Sequence, residues 1–136
     1  MTTIISRPLV RVVASGLIAG ALALSAVGVA SAHASLTSAN IKPSQVFPHN
    51  TYPTMIKAFF AENVNPKDSF VHVFEGDPGG DHGMVDTGKN LFPFSNSKEI
   101  TATLPKGMKG LYTFMWYTQS ADDGHVAGNS FTFAVK

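Results

Sequence analysis

In the second half of the chain, apolar and polar residues alternate with a period of two. Ile100, Ala102 and Leu104 fall on one face of the stretch 98–104, with Thr101 and Thr103 on the other. Tyr112, Phe114 and Trp116 share a face within 111–118, and Phe131, Phe133 and Val135 do so within 129–135. Successive side chains of an extended strand point to opposite sides, so this spacing predicts three half-buried strands. The stretches 54–60 and 69–75 are rich in β-branched and aromatic residues and predict two more, with a short first strand over 34–38. Between them, 63–68, 104–107 and the glycine-rich 77–83 carry turn and loop residues. Helical periodicity is nowhere sustained after residue 33. Six or seven short strands in roughly 100 residues predict an all-β domain, a single immunoglobulin-like Greek-key β-sandwich.

The amino-terminal third has a different pattern. Arg7 and Arg11 occur without an acidic residue, 12–29 is Ala, Leu, Val, Ile and Gly with two serines, and Ala30-Ser31-Ala32 is a small-x-small cleavage pattern. This is the layout of a signal peptide over 1–32, which leaves a mature domain over 33–136. The arginines are not paired, so ordinary Sec-type export is expected. Ala32-His33-Ala34 is a second small-x-small pattern, and a cut after Ala34 would remove His33. An uncleaved membrane anchor is the remaining reading; on the cleaved reading the mature chain does not span the membrane.

Without the leader, 104 residues remain, enough for one modest core. They hold eight lysines and nine acids, a balance that argues against nucleic acid as a partner, because such binding needs a clustered basic surface. The chain has no cysteine. An exported disulfide scaffold, a zinc finger, an iron-sulfur cluster and a blue-copper centre are therefore excluded. Nitrogen, oxygen or thioether must hold any metal.

The candidate chemistry sits at the two ends of the mature chain. If cleavage follows Ala32, His33 carries a free α-amine beside its imidazole, and the two chelate one ion through a six-membered ring. The α-amine, with an ordinary pKa near 8, gives up its proton to a strongly Lewis-acidic ion at neutral pH. Asp123 and His125 stand two apart and on an extended segment would point the same way. Three nitrogens and one oxygen form a tetragonal set that suits copper(II), one ion per chain.

The segment Ser120-Ala121-Asp122-Asp123-Gly124-His125, with Gly128 and Phe131-Thr132-Phe133-Ala134-Val135 after it, resembles the end of the CopC copper-resistance family. His33-Ala34-Ser35-Leu36, Phe59-Phe60-Ala61-Glu62-Asn63-Val64 and Gly110-Leu111-Tyr112-Thr113-Phe114-Met115-Trp116 extend the resemblance in the same order. It implies a β-sandwich that binds copper in the periplasm and sequesters it or hands it to a membrane copper transporter or another carrier. It also implies His33, Asp123 and His125 as copper(II) ligands, with Glu62 nearby in a supporting or weak-ligand position. The chain departs from the family pattern in three places: Asp122 is an extra acid, Val126 replaces a proline, and Tyr117 replaces an arginine. The extra acid leaves Asp122 and Asp123 as competing ligands, with the Asp-x-His spacing favouring Asp123. Members with a copper(I) site carry a methionine-rich loop. The corresponding stretch here has only Met84 beside His82, which implies a copper(II)-only member.

Each residue also has a plainer reading. His33 can be an incidental residue at a processing site, and Asp123-Gly124 is a common turn dipeptide with His125 exposed beside it. His49 and His72 have no partner at ligand spacing, Asp81-His82-Gly83-Met84 offers at most a weak auxiliary site, and Trp116 reads as core. Two alternatives to a copper carrier remain: a histidine-brace copper monooxygenase and a metal-free interaction module. No nucleophile, base and acid grouping for hydrolysis is visible.

Overall fold

The computed structural model describes residues 34–78, 83–93 and 97–136, so the leader, His33 and His82 lie outside the described residues. The described chain forms eight strands: β1 (Leu36–Ala39), β2 (Val46–Phe47), β3 (Met55–Phe60), β4 (Phe70–Glu75), β5 (Asn90–Leu91), β6 (Glu99–Thr103), β7 (Gly110–Gln119) and β8 (Val126–Val135). They build two four-stranded sheets, ordered β1-β3-β6-β5 and β2-β8-β7-β4. The chain passes repeatedly from one sheet to the other, so the two layers are woven together into the all-β sandwich expected. No helix of the described residues is long and apolar enough to cross a membrane.

The alternation places the core where the sequence predicts it. Ile56 and Ala58 of β3, Val71 and Val73 of β4, Ile100 and Ala102 of β6, Phe114 of β7, and Phe133 and Val135 of β8 are all no more than 1% exposed. Each side chain as large as Val, Ile or Phe contributes about 1.5–3 kcal/mol by leaving water. Phe114 stacks on Trp116 at 5.7 Å and meets Phe131 at 5.2 Å, which closes one side of the core. Trp116 and Phe131 themselves are only half-buried, and both line an apolar groove with Leu36 and Ile41. Thr101, expected on the outer face of β6, is 4% exposed. In that strand both faces are covered.

β2 and β5 are absent from the sequence reading. Each is two residues long, too short to show a period, and each exists through its neighbour: β2 runs parallel to β8 at Val46↔Ala134 and Phe47↔Val135, and β5 pairs with β6. The segment 83–90 also closes the free edge of β4. Val85 N–H donates to the Val73 carbonyl at 2.8 Å, and Val73 N–H to the buried Asp86 carboxylate at 2.7 Å. The Asn90 amide satisfies both backbone groups of Val71, at 2.9 and 2.8 Å. An edge covered in this way offers no template for pairing with another chain.

Candidate metal centre

At one rim of the sandwich three distant segments meet. The β7 strand ends at Gln119, and Ser120 continues it into an isolated bridge with Val64. Ala121 N–H donates to the Asn63 carbonyl at 2.8 Å, so the segment 61–64 lies beside 120–121. Ala61 N–H donates to the Ser35 carbonyl at 2.9 Å, which brings the start of the described chain to the same rim. Thr118, fully buried, donates its hydroxyl to the Ala34 carbonyl at 2.6 Å.

From this platform the connection between β7 and β8 projects as a tight turn. Ser120 N–H donates to the His125 carbonyl at 2.8 Å, and Gly124 N–H to the Ser120 carbonyl at 3.0 Å. Gly124 adopts φ 75°, a left-handed conformation that glycine takes without steric cost. A Cβ there would meet nothing within 4 Å, so backbone conformation and not space selects glycine.

The turn brings Asp123 and His125 together. One Asp123 carboxylate oxygen, Oδ2, lies 2.8 Å from His125 Nδ1, and the other accepts the His125 backbone N–H at 3.0 Å. The pairing therefore comes from a turn wrapped around Gly124 and not from strand alternation, which is where the sequence reading located it. The His125 side chain is 61% exposed and that of Asp123 32%, so both can be reached from solvent. The His125 backbone N–H, then its side chain, hold the Asp123 carboxyl below the ordinary carboxylate value, with the Ser120 hydroxyl adding to the effect against slight desolvation. The acid is thus kept as a carboxylate. Asp122, the competing acid, has its N–H on the Ser120 hydroxyl at 3.2 Å.

Glu62 stands on the neighbouring segment, half-buried. Its Oε2 is inaccessible to solvent and has no hydrogen-bond partner among the described residues. A buried carboxylate oxygen without a donor is costly, and such groups are rare in folded proteins. In the chain Glu62 stands between Ala61, whose N–H donates to the Ser35 carbonyl, and Asn63, whose carbonyl accepts the Ala121 N–H.

The Asp123 carboxylate and the His125 imidazole form a nitrogen and oxygen donor pair. It fits a borderline divalent ion and lacks the thioether or thiolate that copper(I) prefers. Among the described residues no three His, Asp or Glu side chains form a cluster able to hold a metal by themselves. The Asp123 and His125 pair needs further donors to complete a four-coordinate shell.

The remaining histidines are placed elsewhere. His72 Nδ1 faces Asp86 Oδ1 at 3.3 Å and its ring stacks on Phe70 at 5.0 Å. His49 is exposed in the turn after β2. Met84 bridges to Phe74 and is 47% exposed. Sequence reasoning missed Thr118, which carried no signal beyond its position near the end of a strand.

The two sheets define a small all-β sandwich with a carboxylate and imidazole pair at one rim. The model of the CopC domain matches residues 36–136, and the chain belongs to the CopC family. Among solved structures, it resembles PcoC, a methionine-rich copper resistance protein from Escherichia coli, with a TM-score of 0.59 and 23% identity over 77% of this chain and 100% of that one. It likewise resembles CopC from Methylosinus trichosporium OB3b, with a TM-score of 0.56 and 22% identity over 74% of this chain and 91% of that one. No curated protein matches the chain.

Proposed function

We propose that this chain is an exported copper(II)-binding protein that sequesters the ion or passes it to a membrane transporter or another carrier. One copper(II) per chain is held by the α-amine and imidazole of a mature amino-terminal His33, the Asp123 carboxylate and the His125 imidazole, with Glu62 supporting the site. Membership of the CopC family and the likeness to a copper resistance protein support copper as the cargo. CopC proteins carry copper and are not enzymes, so the chain is a binder without a catalytic step. The leader pattern over 1–32 supports export, and the family supports a periplasmic destination.

The observation that carries the reading is the Thr118 to Ala34 hydrogen bond. It fixes the start of the described chain two residues before the Ser120 turn that bears Asp123 and His125. In the proposed mature chain His33 directly precedes Ala34. A terminal histidine adds two nitrogens to the pair, and Glu62 Oε2, without a hydrogen-bond partner among the described residues, is a carboxylate oxygen in reserve.

The test is a copper(II) titration of exported protein whose amino terminus is confirmed by intact mass, followed by electron paramagnetic resonance beside a His33→Ala form. A tetragonal signal at one equivalent, with nitrogen coupling that changes in the variant, is the expected result. A mature chain beginning at Ser35, or a spectrum indifferent to the substitution, rules out the terminal chelate.

A further inference from the structure

Thr118 is fully buried near the end of β7, and its side-chain oxygen serves a contact 84 positions away in sequence. The hydroxyl lies 2.6 Å from the Ala34 carbonyl and 3.2 Å from the Ala127 carbonyl, so its single proton goes principally to Ala34. Ala34 itself is 0% exposed, and no other donor to its carbonyl is found among the described residues. The next carbonyl, that of Ser35, takes the Ala61 N–H at 2.9 Å. Two consecutive peptide groups are thereby tied in opposite directions, one to β7 and one to the segment that carries Glu62.

Ala34 and Ser35, held this way, are ordered before any ion arrives. We infer that Thr118 is a positioning residue for metal capture, one whose hydroxyl, acting through the Ala34 carbonyl, pre-orients the terminal chelate toward Asp123 and His125. The inference rests on the proposed function and deepens it. A free chain end must be ordered when it joins two ligands on another strand, and that ordering weakens binding; an end already tied avoids most of this loss. The hydroxyl is needed because the buried Ala34 carbonyl has no alternative donor among the described residues. Valine has the same shape as threonine without the proton.

The test compares copper(II) affinity, by competition with a chelator of known strength, for mature protein beginning at His33 and its Thr118→Val and Thr118→Ser forms. Thr118→Val is expected to bind about tenfold more weakly, the effect of one buried carbonyl left unpaired, while Thr118→Ser stays within about twofold of the parent. The same substitutions are made in protein with one extra residue before His33, where the α-amine is blocked. There Thr118→Val should change affinity by less than about twofold, because the chelate it positions is already lost. Thr118→Ala repeats the comparison should the valine form not fold. Equal losses in blocked and unblocked protein, or no loss in the unblocked protein, overturn the inference. If His33→Ala itself leaves affinity unchanged, the proposed function fails instead, whereas a weakened His33→Ala beside a normal Thr118→Val removes only the role of Thr118.

Discussion

Asp123 engages His125 twice, through its backbone N–H at 3.0 Å and its Nδ1 at 2.8 Å. The carboxylate thus orients the imidazole as well as standing beside it. Asp123→Asn keeps an oxygen for the backbone N–H but loses the charge. Copper(II) affinity should fall about 10- to 100-fold, while the melting temperature moves by no more than about 2 °C, since the pair is largely exposed. Chelator competition and a thermal melt check the two halves.

Acidification provides a second check. The Asp123 pKa is lowered in the folded protein, so its contribution to stability is complete above the ordinary carboxylate value and is lost only as pH falls through the lower, folded value. A ligand must be free of its proton to hold the ion, so metal binding weakens with acid. Copper(II) should therefore dissociate on acidification before Asp123 is protonated, leaving a folded, metal-free protein. Parallel traces of bound copper and circular dichroism between pH 7 and 4 test this; simultaneous loss of both contradicts it.

Glu62 keeps a buried carboxylate oxygen without a donor among the described residues. Glu62→Gln removes the charge and should leave the metal-free protein as stable as before or up to about 1 kcal/mol more stable. Copper(II) affinity should fall several-fold. Urea unfolding of the metal-free form, set beside a copper titration, separates these opposite signs. A destabilised metal-free variant would show that the carboxylate has a structural partner.

Asp86 is a structural acid of a different kind. It is 8% exposed and accepts the N–H groups of Val73 and Gly88, each at 2.7 Å. Asp86→Ala strands both donors at the edge of β4. The variant should lose about 2–4 kcal/mol of stability, seen as a lower urea midpoint, with the copper(II) spectrum of the folded fraction unchanged.

Extending the amino terminus is the simplest perturbation. Protein that retains Met1 and the leader, or carries a tag before His33, should bind copper(II) at least about tenfold more weakly than the processed form, because its α-amine is part of a peptide bond. Equal affinity in isothermal titration would refute the terminal chelate.

Much of the fold can be read along the chain because it rests on local parity. The period of two in 98–104, 111–118 and 129–135 assigns Ile100, Phe114 and Phe133 to the interior, where all are at most 1% exposed. Donor chemistry is equally local: without cysteine, any site must be built from nitrogen, oxygen and thioether. Tertiary structure decided what depends on distant partners. β2 and β5 exist only as neighbours of β8 and β6. Trp116 is half-buried because it lines an apolar groove with Leu36 and Ile41. The meeting of Ala34, Glu62 and the Asp123 turn at one rim, and the Thr118 hydrogen bond across 84 positions, leave no periodic trace. Parity is a property of each strand's own backbone, whereas these contacts are created when two sheets close over a common core.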